Sequence, residues 1–498
     1  MVALVPLVLV PALGAVQGGF EPDAWVWAGA LAAWACAVTV VLTAAPGALR
    51  RAWPWVAATG GLLLWTLAST SWSADAAQSL LDARRTLVYA AVVLALVLLA
   101  RQDATRVLVL ATHAAVSGLV VYALARYLLG PRRQDQFEGH LLNQPLGYAN
   151  GVGILAALGI LLALGISSGT APRLLRAAAG ATVPPLALAL QLTGSHASWL
   201  ALGVGIALAG FLEPAPLRLL TTAAAVAPPV AVLVWLGWYS DYATSVAAPH
   251  VGGQALCLAA AGASATAAAA VASVRPEARE ASRRTRRLLA LAAVVAALGG
   301  AAAVAGSGST EPRASYWHVA WHDEYRNHAL LGSGAGTFGG YWARSGRALD
   351  LGGALDAHSL YLETLAELGP AGLALLAAML LLPLRGALRS RRVPYLPAAA
   401  GAYAAFLVHA GLDWDWELPA VVVTGLCCAA AVALTEIGLQ RPLGTMPRAL
   451  LFVAACVLGA SAIAGVRSEA TPAAGPKAEK APGSGAFQEH VAADGYGW

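Results

Sequence analysis

Ala149-Asn-Gly-Val-Gly-Ile-Leu-Ala-Ala-Leu-Gly-Ile-Leu-Leu-Ala-Leu-Gly-Ile-Ser-Ser168 contains no charged residue. A hydrocarbon core about 30 Å thick is crossed by about 20 such residues wound as a helix. The stretch therefore reads as a membrane span. Working outward from it, comparable apolar runs recur near 2–18, 23–45, 52–70, 86–100, 107–128, 147–168, 176–193, 196–212, 217–237, 251–274, 288–306, 360–384, 395–411, 419–437 and 449–466. The fold expected is all-α: a polytopic membrane helix bundle with about 12–15 transmembrane helices and a long external loop between late spans. Residues 1–306 and 360–466 read as the two parts of the bundle. Residues 307–359 read as the loop, with an interfacial helix and a glycine turn, and 467–498 as a disordered tail.

Composition agrees with this reading. Of 498 residues, 59% are hydrophobic and 11% charged, and the mean hydropathy is +0.66. A soluble surface needs about a quarter of its residues charged. A soluble nucleic-acid binder, a disordered chain and a secreted disulfide scaffold are excluded, although the net charge is +5. Cys36, Cys257, Cys427, Cys428 and Cys456 all lie inside apolar runs without metal-site spacing.

Loop charge sets the orientation. With the N-terminus inside, nineteen of the 31 basic residues fall in cytoplasmic loops, as the positive-inside rule requires. Segments 71–85, 127–147, 193–197, 307–359 and 412–418 then share the external face of the cytoplasmic membrane. The longest is too long for a plain connector. Polar residues gathered at one interface favour chemistry on a substrate presented at the outer leaflet. A transporter keeps them at mid-membrane.

Within the long loop, residues 313–326 predict an interfacial helix with Tyr316, Trp317, Ala320 and Tyr325 on its apolar side. The turn Leu331-Gly-Ser-Gly334-Ala-Gly336-Thr-Phe338 permits close backbone approach to a ligand, with amides suited to a phosphate. His358 opens the next span on its apolar face, and Gly369-Pro370 interrupts that span about three turns deeper. Two readings of His358 stand at this point: a hydrogen-bonded interface residue, or a general base. His318 and His322 have helical metal spacing but no third ligand, so no metal site is assigned. His113 reads as a satisfied buried histidine.

These pieces together resemble the O-antigen ligase/polymerase family. The resemblance rests on Arg313…Trp317, on Gly332-Ser-Gly334-Ala-Gly336-Thr-Phe338, and on Ala357-His358-Ser-Leu-Tyr-Leu-Glu363…Glu367-Leu-Gly369. It is extended by Trp72-Ser-Ala-Asp75, Pro145-Leu-Gly-Tyr-Ala-Asn150, Thr193-Gly-Ser-His196-Ala-Ser-Trp199 and His409…Asp413-Trp-Asp-Trp-Glu417, in order over roughly residues 60 to 440. It implies an inverting, metal-independent glycosyltransferase that needs no cofactor. The donor implied is a polyprenyl-diphosphate-linked glycan, and the acceptor a glycan, lipid or wall-polymer hydroxyl. Membrane lipids are partners and nucleic acid is not.

On this resemblance His358 is the base and Arg313 the cation that neutralises the leaving diphosphate. His196, Arg132, Arg133, Trp317, Gly334 and Gly336 bind the diphosphate or the glycan, with Asn150 and Asp413 behind them. His196 stands where the family carries arginine. Arg132 and Arg133 are the basic residues left to supply that charge. Two alternatives remain open: a transporter or flippase of lipid-linked glycans, and a catalytically impaired relative acting as a scaffold.

Overall fold

The computed structural model describes residues 1–43, 48–130, 138–239, 251–274, 282, 311–347, 353–435 and 443–469. The regular structure of these residues is helical, without a β-strand. The elements are α1 (Val5–Gly14), α2 (Pro22–Leu42), α3 (Leu49–Ser69), α4 (Ala76–Leu99), α5 (Ala104–Leu129), α6 (Ala149–Ser168), α7 (Arg173–Leu192), α8 (His196–Leu212), α9 (Pro216–Tyr239), α10 (Val251–Ser273), α11 (Glu311–His318), α12 (Phe338–Arg344), α13 (Leu360–Leu381), α14 (Leu396–Ala410), α15 (Pro419–Ala433) and α16 (Thr445–Glu469). The protein is an all-α, multi-pass membrane protein. Among the described residues, seven helices are long and apolar enough to cross a membrane, and five more are apolar but shorter.

Each expected span falls on a described helix except 288–306, which lies outside the described residues, as do 470–498 of the tail. The expected first span is only the short α1, ended by a turn in which Gln17, Gly18 and Gly19 all have positive φ. The expected loop helix over 313–326 is α11 followed by a π turn (Val319–Glu324) and a 3-10 turn (Tyr325–Asn327). The irregular winding buries Val319, Ala320 and Glu324 together. With Tyr316, Phe338, Trp342, Ala357 and Ala366, the first two of these form a small apolar core separate from that of the bundle.

α6 is the axis of the bundle, buried along its whole apolar window and packed by α5, α7, α8 and α14. A helix surrounded by helices needs no polar face, which is why 149–168 carries no charge. Where α8 crosses α14, Gly401 backs onto the Gly205 carbonyl, leaving no space for a Cβ. Small residues permit such approach between membrane helices.

α13 is broken as its sequence predicts. Gly369 takes φ +66° and Pro370 follows it, so the usual helical donors to the preceding carbonyls are missing. Three carbonyls before the break accept from donors outside the helix, as a low-dielectric setting favours. Ser333 N–H reaches Ala366 O at 3.2 Å, Gly334 N–H reaches Glu367 O at 2.8 Å, and Trp65 Nε1 reaches Leu368 O at 2.9 Å. The break is thus the seat on which the loop docks.

The five polar segments meet at one end of the bundle. Ala335 N–H donates to Ser69 Oγ, Arg85 pairs with Glu417, Leu142 N–H donates to Leu192 O, and Arg313 pairs with Asp413. The opposite helix ends carry Arg50, Arg51, Arg101, Arg106, Arg173 and Arg218.

Candidate active site

The segment 412–418 between α14 and α15 is the hub, and Asp413 is its centre. Asp413 is fully buried. Its Oδ2 accepts from Arg313 Nη2 at 3.2 Å and from Asn150 Nδ2 at 2.6 Å. Its Oδ1 accepts from the Tyr148 hydroxyl and from Trp414 N–H at 2.8 Å. Burial opposes the charged carboxylate, but Arg313, His409 and His358 outweigh it and hold Asp413 below the ordinary carboxyl range. Asn150, placed in the first turn of α6, serves this carboxylate rather than capping its helix; the first amide of α6, Ala149 N–H, donates to Glu138 Oε1 at 3.0 Å.

His358 stands just outside α13, whose N-cap is Ser359; the expectation that it opens the helix is corrected by two residues. Its main chain is left-handed, φ +51°. Asp356 Oδ1 accepts the His358 N–H at 3.0 Å and lies 2.8 Å from Nδ1, an ion-pair contact outside hydrogen-bond alignment. Tyr316 lies along the imidazole, centroids 4.8 Å apart at 30°, and is itself wedged edge-on against Trp342 at 4.7 Å. Burial favours the neutral imidazole, but Asp356 and Asp413 overcome this against an opposing Arg313, and raise the histidine above its usual value. Arg313 and Tyr316 share α11, one turn apart. The helix that carries the guanidinium to Asp413 therefore also lays a ring on His358, and the two predicted catalytic side chains are neighbours.

A second histidine–carboxylate pair lies behind the first. His409 Nδ1 is 3.0 Å from Asp415 Oδ2, and its Nε2 is 3.0 Å from Ser198 Oγ; all three residues are fully buried. Ser198 is bonded to Ser195, the N-cap of α8. The Thr193–His196 turn is thereby tied to the hub. Asp415 is raised by burial against the pull of His409. His196 itself is exposed at the first residue of α8, and what links its turn to the cluster is Ser198. Trp317 is half-buried beside Tyr316. Arg132 and Arg133 lie outside the described residues. Among those described, no group of histidine, cysteine or acidic residues is arranged to hold a metal ion.

The amides of the glycine turn have partners within the fold. Gly336 N–H donates to Glu367 Oε2 at 2.8 Å, Phe338 N–H to Glu367 Oε1 at 3.0 Å, and Gly334 N–H to the Glu367 carbonyl. Below them Glu324 accepts from Ser333 Oγ at 2.7 Å and Thr337 Oγ1 at 3.1 Å. Burial pushes Glu324 up to about 7 against those two bonds. Gly334, at φ +109°, backs onto Ser73, so a Cβ has neither backbone freedom nor space. Gly334 and Gly336 brace the loop on α13 and α4. Gly334→Ala is expected to destabilise the protein by about 1–3 kcal/mol from backbone strain alone. Thermal unfolding of the detergent-solubilised protein checks this against Gly353→Ala, where a Cβ meets open space. Equal midpoints for the two variants contradict the brace.

Sequence reading named Arg313, His358, Asp413 and Asn150, and these converge. It left Asp356, Tyr148, Ser198, His409, Asp415 and Glu367 without roles. Asp356 two residues before His358, and His409 six before Asp415, were the available signals. Residues 181–377 match the family model described as O-antigen ligase. No curated protein matches the chain.

Proposed function

Residues 181–377 are similar to the family model described as O-antigen ligase, and on that premise we propose that the protein moves a polyprenyl-diphosphate-linked glycan onto an acceptor hydroxyl at the outer face of the cytoplasmic membrane, as a ligase or a polymerase. The observation that carries this reading is that one helix, α11, pairs Arg313 with the buried carboxylate of Asp413 and lays Tyr316 against His358. The arginines at the opposite helix ends support placing this end outside.

In the transfer, His358 takes the proton of the acceptor hydroxyl through Nε2. The hydroxyl oxygen attacks the anomeric carbon from the face opposite the diphosphate, so configuration inverts. The carbon–oxygen bond to the diphosphate breaks, and polyprenyl diphosphate leaves with the electron pair. Arg313 stabilises the growing charge, as preorganised donors do in a water-poor site. Asp413 and Asn150 hold the guanidinium in place. His196, exposed on the same end, meets the donor phosphates together with Arg132 or Arg133. Trp317 lines the glycan side. No metal enters this scheme.

Purified protein mixed with a polyprenyl-diphosphate oligosaccharide and an acceptor glycan is expected to release polyprenyl diphosphate. Arg313→Ala is expected to lower that release by about 10²–10³-fold, the cost of one charge-stabilising donor. Arg313→Lys keeps the charge without the fork and is expected to fall between. Undiminished release from Arg313→Ala removes the guanidinium from the mechanism.

A further inference from the structure

A non-glycine residue in the left-handed region costs about 1–3 kcal/mol and persists where surrounding bonds over-determine it. Two carboxylates do so at His358. Asp356 Oδ1 accepts its N–H, and Glu363 Oε2 accepts the adjacent Ala357 N–H at 2.6 Å. The same Asp356 oxygen stands 2.8 Å from Nδ1, while Tyr316 closes one face of the ring. A carboxylate oxygen this close to Nδ1 electrostatically favours the proton on that nitrogen, which leaves the lone pair on Nε2 for the substrate. The groups facing this imidazole are Asp356 from its own turn, Asp413 from the 412–418 segment, and Arg313 and Tyr316 from α11.

We propose that Asp356 is a positioning residue for the transfer: one carboxylate oxygen fixes both the left-handed main chain and the Nδ1 side of His358, so that Nε2 is the nitrogen presented to the acceptor hydroxyl. The proposal rests on His358 being the general base. Its negative charge also strengthens that base, so removing the charge changes the pH at which the base becomes available. A residue that merely filled space would leave that pH unmoved.

The test uses the full-length protein, and its titration arm needs no glycan; the turnover arm uses the polyprenyl-diphosphate oligosaccharide named above. Diethyl pyrocarbonate acylates neutral imidazole, and mass spectrometry of the His358 peptide across pH reports when that ring loses its proton. His409, sealed in the bundle, is the internal control. Asp356→Asn is expected to move the His358 titration to lower pH, to shift the rising limb of turnover with it, and to lower turnover by more than about tenfold with KM for the donor unchanged. Coincident titrations of Asp356→Asn and the parent overturn the proposal. If Asp356→Asn does not fold, Asp356→Glu decides: a parental pH limb with reduced turnover supports the assignment, and parental turnover overturns it. Full turnover in His358→Gln is a different outcome, for it defeats the base reading itself.

Discussion

Replacing His358 with glutamine is expected to lower glycan transfer by about 10²–10⁴-fold, the span that general-base catalysis contributes, while leaving the protein folded. Glutamine keeps a polar side chain beside Tyr316 and Asp356 but cannot accept a proton near neutral pH. The parent protein supplies the complementary signature. Asp356 and Asp413 raise the histidine above its ordinary value against burial, and below that raised value the ring is imidazolium and carries no lone pair. Turnover is therefore expected to rise with pH through a midpoint above that of free imidazole and then level off. Initial rates across the neutral range, at saturating donor, check both the midpoint and its disappearance in His358→Gln. A flat profile in the parent, or a limb that survives the substitution, removes His358 from the chemistry.

Asp413→Ala is expected to have the largest effect on stability, about 3–5 kcal/mol, the cost of stripping one partner from a buried ion pair. Arg313, Asn150, Tyr148 and Trp414 N–H all donate to this carboxylate, and alanine takes this acceptor from all four. Burial works against the Asp413 charge, but Arg313, His409 and His358 depress its pKa. A depressed carboxyl contributes stability above its unfolded value and loses it as pH falls through the folded one. The parent should lose stability over that acid window, and Asp413→Ala should lose less there, having already lost the contribution at neutral pH. Unfolding midpoints at neutral and acid pH measure the difference. Equal acid sensitivity of the two proteins argues against an ionised Asp413.

The fold was legible because a membrane span is a one-dimensional property: an uncharged run such as 149–168 can be read without knowing its neighbours. The break in α13 was equally plain, since Gly369-Pro370 removes helical donors whatever surrounds it. Arg313 and His358 were found through a resemblance, and Asp413 and Asn150 with them. What stayed hidden depends on juxtaposition. Asp415 and Ser198 matter because they flank His409 from a different helix and a different loop, and no local pattern encodes that. The partners of the glycine turn were hidden for the same reason: its amides suit an acceptor, and they have one in the Glu367 side chain of the neighbouring helix.

That docking has a practical corollary for anyone building hybrids of this protein with its relatives. Grafting residues 311–347 alone would separate the turn from the interrupted helix whose bare carbonyls it covers, orphaning groups on both sides of the junction. A transplantable cassette has to run at least to Pro370 and bring a matching Ser69, Ser73 and Trp65 from the first half of the chain. Acceptor preference, if it is written in this loop, is inherited as a block.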